Sequence, residues 1–385
     1  MLNFTFHNPT RIHFGEGQIQ RITQEIPAGA RVLVTYGGGS IKHNGVYDQV
    51  VAALQEHTWF EFSGIEPNPS YATLVKALNI IKDNRVDYLL AVGGGSVIDG
   101  TKFIAAAALY AGDDPWNIIA KRHPIKQALP IGAVLTLPAT GSETNTGGVV
   151  TRDGNKLNFA SPLVRPQFAI LDPAVTFTLS DRQIANGVVD AFVHTMEQYL
   201  TYPVNGKVQD RIAEGLLQTL IEEGPKALDP QTKEDLDVRA NIMWSATLAL
   251  NGLIGAGVPQ DWTTHMIGHE LTGGYGIDHA RTLSIVLPAV MKIRHVEKHE
   301  KLLQYAQRVW GISEGDEQQR VDRAIEMTEA FFRQMNVPTR LGDVDIDAAQ
   351  IDSILAKLEE HRMVKLGEHR DITPEVSRII LETAL

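Results

Sequence analysis

Apolar positions recur along this chain in two rhythms. Through the first 175 residues, short runs of branched and aliphatic residues alternate with stretches of helical period. The runs are Arg31–Tyr36 (RVLVTY), 88–92 (YLLAV), 133–137 (AVLTL) and Phe168–Leu171 (FAIL). Between the first two, Leu74, Ala77, Leu78 and Ile81 give 70–83 a helical stripe. This alternation predicts βαβ units and a parallel sheet with helices on both faces. Ligands of such sheets bind beyond the carboxyl ends of the strands. From about residue 178 the pattern is helical almost throughout, most clearly over 210–221, 239–251, 302–309, 320–332 and 351–359. Pro173 and a capping box formed by Ser180 and Gln183 put a boundary near 176. The expectation is an α/β domain over 1–176 and an all-helical domain over 177–385.

Composition narrows the function classes. The 43% of hydrophobic residues among 385 suffices for a sizeable core. A net charge of −11 without a basic run argues against nucleic acid and anionic membranes as partners. The residues before FGEG lack the basic-then-apolar order of a signal peptide, and the longest apolar run, 103–112, is too short to span a bilayer. A cytoplasmic protein is expected. Cysteine is absent, so any metal must be held by nitrogen and oxygen ligands.

Glycines fall where the strands end. Gly37, Gly38, Gly39 and Ser40 follow the first run; Gly93, Gly94, Gly95 and Ser96 follow the second, with Asp99 three residues on. Such glycines let backbone N–H groups approach a phosphate, and the next helix offers its positive end. Two loops of this kind favour a nucleotide cradle over a pair of tight strand-to-helix turns. Neither is G-x-G-x-x-G. Thr140, Gly141, Ser142 and Glu143 follow the third run and add hydroxyl donors. An NAD-selective site usually places an acid at a strand end for the ribose 2′-hydroxyl. After RVLVTY come glycines, Ser40 and Lys42, with no acid, which favours NADPH over NADH.

The most chemically suggestive window runs from residue 190 to 279. Asp190 and His194, and His265 and His269, are each spaced i, i+4, which stacks two side chains on one helix face. His279 is expected to arrive from the loop that follows. One aspartate and several histidines suit Fe²⁺ or Zn²⁺. The same spacing at His295 and His299 lies among charges and reads as a solvated face. The pairs at 190/194 and 265/269 have apolar neighbours, so they are either metal ligands or polar groups satisfied within a core; burying one unpaired costs roughly 2–7 kcal/mol.

Taken together, these motifs resemble the iron-containing (group III) alcohol dehydrogenase family over essentially the whole chain. The order is FGEG, EPNP at 66–69, GGGSVIDGTK at 93–102, TGSE at 140–143, D-x-x-x-H at 190–194, and H-x-x-x-H at 265–269 with His279. YGGGS at 36–40, IANGVVDAFVH at 184–194 and LNGLIGAGVPQDW at 250–262 are most similar to the family's bacterial NADPH-dependent aldehyde reductases. The resemblance implies a dehydroquinate synthase-like fold, an α/β dinucleotide-binding domain followed by an all-α metal-binding domain, with the active site in the cleft between them. It implies Asp190, His194, His265 and His279 as ligands of one divalent ion, and His269 as a catalytic histidine near nicotinamide and substrate. Gly37, Gly38, Gly39 and Ser40 would face the adenosine ribose; Asn68, Gly94, Gly95, Ser96 and Asp99 the pyrophosphate and nicotinamide side. Thr136, Leu137 and Thr140 would line the cofactor, and Lys156 would reach its ribose. The implied reaction is hydride transfer between NADP(H) and an aldehyde or primary alcohol, in a homodimer. Rival readings are an NAD-dependent glycerol-type dehydrogenase and a non-catalytic nucleotide-binding protein. Two departures stand out: Asp278 and Ala280 flank His279 where many members have Pro and Gly, and Thr136-Leu137 replaces two threonines.

Overall fold

The computed structural model describes residues 1–385 and divides them into two units, His7–Leu179 and Ser180–Leu385 joined by Met1–Phe6. In the first unit, six strands form an all-parallel sheet. They are β1 (Arg11–Phe14), β2 (Arg31–Tyr36), β3 (Thr58–Phe62), β4 (Tyr88–Gly94), β5 (Ile131–Leu137) and β8 (Phe168–Leu171), in the order β1-β8-β5-β4-β2-β3. A separate antiparallel hairpin pairs β6 (Gly147–Arg152) with β7 (Asn155–Ala160).

The continuous apolar runs became the inner strands because both faces of a parallel sheet are covered. Leu89, Leu90, Ala91 and Val92 of β4 and all of β8 are buried. On one side they join a core with Val32, Val34, Ile19 and Ile22. The two edge strands lacked that signature. RIHF and TWFEF are mostly half-exposed and carry Arg, His, Thr and Glu, so no apolar run betrayed them. The stripe over 70–83 is also broken. Ser70 caps a first turn, Tyr71–Leu74, with its Oγ accepting from Thr73 N at 3.3 Å, and a second helix starts at Ala77. Lys76 N to Thr73 O and Leu78 N to Val75 O are i→i−3 bonds that tighten the chain between them.

Four helices carry candidate residues: α1 (Gly95–Ala107), α2 (Asp181–Tyr199), α3 (Thr263–Tyr275) and α4 (His279–Ile293). The first follows β4. The other three belong to the helical unit, where α2 packs on α4 and α4 on α3. The capping box at the start of α2 forms as its sequence predicts: Ser180 Oγ accepts from Gln183 N at 3.3 Å, and Ser180 N donates to Gln183 Oε1 at 3.1 Å. The expected loop position of His279 is corrected. It is the first residue of α4: the carbonyl of Asp278 accepts from Arg281 N at 3.0 Å and Thr282 N at 3.2 Å, so the helix begins directly after Asp278, whose side chain makes no cap bond. No helix is long and apolar enough to cross a membrane.

Candidate functional site

The 190–279 window converges in the helical unit. Asp190 Oδ1 lies 3.8 Å from His194 Nδ1, 3.9 Å from His265 Nε2 and 3.7 Å from His279 Nε2. One ligand atom each from Asp190, His265 and His279 falls within 4.8 Å of the others. His194 sits beside that trio, its ring stacked on His265 with centroids 4.5 Å apart. His269 approaches from the next turn of α3, its ring centroid 5.1 Å from that of His279. Asp190, His194, His265 and His269 are at most 5% exposed, and His279 is half-buried.

The donor set fits a divalent cation. Asp190 Oδ1 and His194 Nδ1 are buried with no hydrogen-bond partner. Orphaned polar atoms side by side in a dry interior are costly, roughly 2–7 kcal/mol for each uncharged group, unless a ligand meets them. Burial pushes the His194 imidazole down to about 4 against the opposing charge of Asp190, so it is neutral at pH 7, as a metal ligand must be. A histidine that titrates near 6.5 in the unfolded chain and near 4 in the folded one gains a proton on unfolding. Its stabilising contribution is therefore complete above about pH 6.5 and lost as pH falls toward 4. Metal-free protein should lose roughly 2 kcal/mol from this group between pH 7 and 5. Urea midpoints at both pH values check this: the acid-induced drop should shrink in His194→Gln, and an equal drop in both proteins would refute it.

One face of α2 builds the centre. Arg182, Asn186, Asp190, His194 and Glu197 follow at steps of four, four, four and three, so they share a stripe. At one end, Arg182 Nε and Asn186 Nδ2 donate to Asp278 Oδ2 at 2.6 and 2.9 Å, next to His279. Burial opposes the Asp278 charge, but these two bonds hold its carboxyl below the usual range. This tether fixes the residue that directly precedes His279. Asp278→Ala should weaken divalent metal binding about tenfold, the scale of an outer-shell contact. Chelator competition would measure it, and unchanged affinity would show that His279 needs no such anchor.

At the other end of the stripe is Glu197, which the sequence reading did not single out. Its carboxylate accepts from His265 N at 3.1 Å and faces His265 Nδ1. Burial, with Asp261 nearby, pushes this carboxyl well up, while the His265 N–H bond opposes the shift. The signal was available: Glu197 is seven residues beyond Asp190, two helical turns.

In the α/β unit, the glycine loops occupy the carboxyl ends of β2 and β4. Gly39 has φ 98°, in the left-handed region, and opens a short 3-10 turn at Ser40. A Cβ on Gly95 would come 2.5 Å from Thr140 Oγ1, and one on Gly94 would meet Leu137 Cβ at 3.0 Å. Close packing against Leu137 and Thr140 thus requires these glycines whether or not a phosphate sits there. Thr136 and Leu137 end β5. Asn68, at φ 54°, donates its N–H to Ser96 Oγ at 3.3 Å.

Asp99 is turned inward. Its oxygens accept from Ser142 Oγ at 2.5 Å and Val149 N at 3.0 Å, and burial raises its pKa against the charges of Lys102 and Lys156. Lys156 is buried on β7. Lys102 Nζ bonds Ser142 Oγ, Asn145 Oδ1 and Gly147 O at 2.9, 2.9 and 2.6 Å, pinning the segment that follows Thr140. Burial lowers this ammonium to about 8.

The expectation of no acid beside the first glycine loop is corrected. The unforeseen β3 pairs with β2 and sets Glu61 opposite Val34. Glu61 accepts from the Tyr36 hydroxyl at 2.5 Å, from the Tyr47 hydroxyl, and from Lys42 Nζ at 3.2 Å. Lys42 also lies over both tyrosine rings. The carboxylate is present but engaged by two phenols and an ammonium.

Fold and donor set together define the class, and the comparisons give it its name. The chain belongs to the iron-containing alcohol dehydrogenase family: the family model of that description matches residues 9–173, and that of the family's C-terminal region matches 184–384. Among individual proteins, the chain is 59% identical to the NADPH-dependent aldehyde reductase YqhD of Escherichia coli K12, with the whole of both chains covered. The crystal structure of YqhD from E. coli K-12 superposes with a TM-score of 0.98 at 58% identity, covering 100% of this chain and 99% of that one. The NADH-dependent butanol dehydrogenase A of Thermotoga maritima superposes with a TM-score of 0.95 at 37% identity, covering 100% of this chain and 99% of that one.

Proposed function

We propose that this protein is a metal-dependent reductase that transfers hydride from NADPH to aldehydes, giving primary alcohols. The observation that carries the reading is the buried cluster of Asp190, His265 and His279, within a chain 59% identical end to end to an NADPH-dependent aldehyde reductase. We assign Asp190, His194, His265 and His279 to a divalent ion, Fe²⁺ or Zn²⁺. The nucleotide falls to residues 1–176 and the metal to 177–385. Gly37, Gly38, Gly39, Ser40, Asn68, Gly94, Gly95, Ser96, Thr136, Leu137, Thr140 and Lys156 are assigned to NADP(H), with Asp99 bracing the loops they stand on. When bound, the ion supplies Lewis acidity at the carbonyl oxygen, and the nicotinamide supplies the hydride.

The chain's own residues have separate tasks. Asp190 contributes negative charge to the ligand set, which tempers its electrophilicity and helps retain a dication. The histidines contribute neutral donors. His269, beside His279 yet outside the cluster of three, delivers the proton that the product oxygen takes up. The proposal extends to a cytoplasmic homodimer, whose mass light scattering would read.

The test is anaerobic reconstitution with Fe²⁺ or Zn²⁺, followed by NADPH and NADH oxidation with short aldehydes, glycerol and dihydroxyacetone. Metal-dependent turnover of aldehydes favouring NADPH is expected. Faster turnover of the polyol pair with NAD(H) would replace this reading by a glycerol-type dehydrogenase. Absence of turnover despite bound metal would remove it.

A further inference from the structure

We propose that Glu197 is a positioning residue that fixes the rotation and tautomer of His265, so that Nε2 presents its lone pair to the ligand cluster. The inference rests on the metal centre proposed above. Its basis is a two-point grip. One carboxylate oxygen of Glu197 receives the backbone N–H of His265 at 3.1 Å, and the other faces Nδ1 of the same residue. With both atoms held from one rigid helix, the imidazole cannot rotate without breaking a bond. Burial opposes the Glu197 charge in the metal-free protein, but a cation on Nε2 favours it; a carboxylate facing Nδ1 then keeps the hydrogen on that nitrogen, and the neutral ring carries its lone pair on Nε2. Nε2 is the atom 3.9 Å from Asp190 Oδ1.

A purely structural role for Glu197, capping the first turn of α3, is the competing account. That turn has another brace. Asp261 Oδ1 accepts from Thr263 N at 3.0 Å and from Thr263 Oγ1 at 2.5 Å, and Asp261 is itself paired with Lys298 at 2.8 Å. The side-chain contact to Nδ1 adds nothing to a helix cap, whereas it decides which ring nitrogen can bind a cation. Glu197 also shares the stripe of Asp190 and His194, so one helix carries two ligands and the support of a third.

Glu197→Gln separates the accounts. Its amide oxygen can still receive His265 N–H, but its NH₂ would then point at Nδ1 and favour the hydrogen on Nε2, where it blocks ligation. The metal-free variant should keep the wild-type circular dichroism, while Zn²⁺ affinity, read by chelator competition, falls about 10- to 100-fold. Glu197→Asp, which restores the carboxylate on a shorter arm, should recover part of the loss. It also serves as the test if the glutamine variant does not fold. His265→Ala is the reference. If it loses Zn²⁺ while Glu197→Gln binds as tightly as wild type, Glu197 has no positioning role and the metal centre stands. If His265→Ala binds Zn²⁺ like wild type, the metal centre itself is wrong. Equal loss in the glutamine and aspartate variants, with no recovery, would also overturn the tautomer argument.

Discussion

His265→Ala should leave a folded protein that has lost both its divalent metal and its aldehyde reduction. His265 is 5% exposed, stacks on His194 and brings Nε2 to Asp190. Truncating it removes one neutral donor from the set and leaves Glu197 without its side-chain partner. Polarisation of a carbonyl by a cation is worth several kcal/mol of the barrier. About 4 kcal/mol corresponds to about a thousandfold in rate, so kcat/KM should fall by at least that factor. Metal content after desalting and NADPH oxidation with a short aldehyde are the two readouts. His269→Ala is the companion variant: it should retain metal and lose about 10²- to 10⁴-fold in rate, the range of a general acid. Full activity in metal-free His265→Ala would end the ligand assignment.

The second large effect is expected at the glycine loop after β2. Gly38→Asp should reduce kcat/KM with NADPH by about a hundredfold and leave NADH little changed. The site tolerates the side chain: a Cβ on Gly38 meets nothing within 4 Å, and Gly38 is absent from the positive-φ positions, unlike Gly39. A carboxylate about 4 Å from a 2′-phosphate costs on the order of 4 kcal/mol at a surface-like dielectric, and salt reduces it. With NADH the same carboxylate can accept from the 2′-hydroxyl instead. Steady-state kinetics with both cofactors decide the matter. An equal loss with each would place the adenosine ribose elsewhere.

What the sequence could and could not reveal follows from burial. The inner strands were legible because a strand covered on both faces needs an unbroken apolar run, as 88–92 and Phe168–Leu171 provide. The edge strands Arg11–Phe14 and Thr58–Phe62 are half-exposed, and their mixed composition carries no period. Missing the second had a chemical consequence, since Glu61 rides on it and the adjoining loop was read as free of acid. The histidine pairs stood out because a polar pair with apolar neighbours demands a partner. Glu197 offered only its seven-residue step from Asp190, with no contrast of wet and dry faces to make it stand out. The helix Asp181–Tyr199 is buried almost all round from Gly187 on, so its polar stripe does not divide a wet face from a dry one. The switch of His279 from loop to first helical residue rests on backbone bonds to the Asp278 carbonyl, not on a side-chain cap.

That stripe sets a tolerance on length. Arg182 and Asn186 hold Asp278 beside His279, Asp190 and His194 face the cluster, and Glu197 holds His265. Each added or removed residue turns everything beyond it by about 100° and shifts it by about 1.5 Å. A one-residue insertion between Asn186 and Asp190 would leave the anchor of His279 in phase while swinging two ligands and the support of a third out of it. The same insertion ahead of Ser180 would disturb none of them. Along this helix, then, the count of residues is constrained as strongly as their identity.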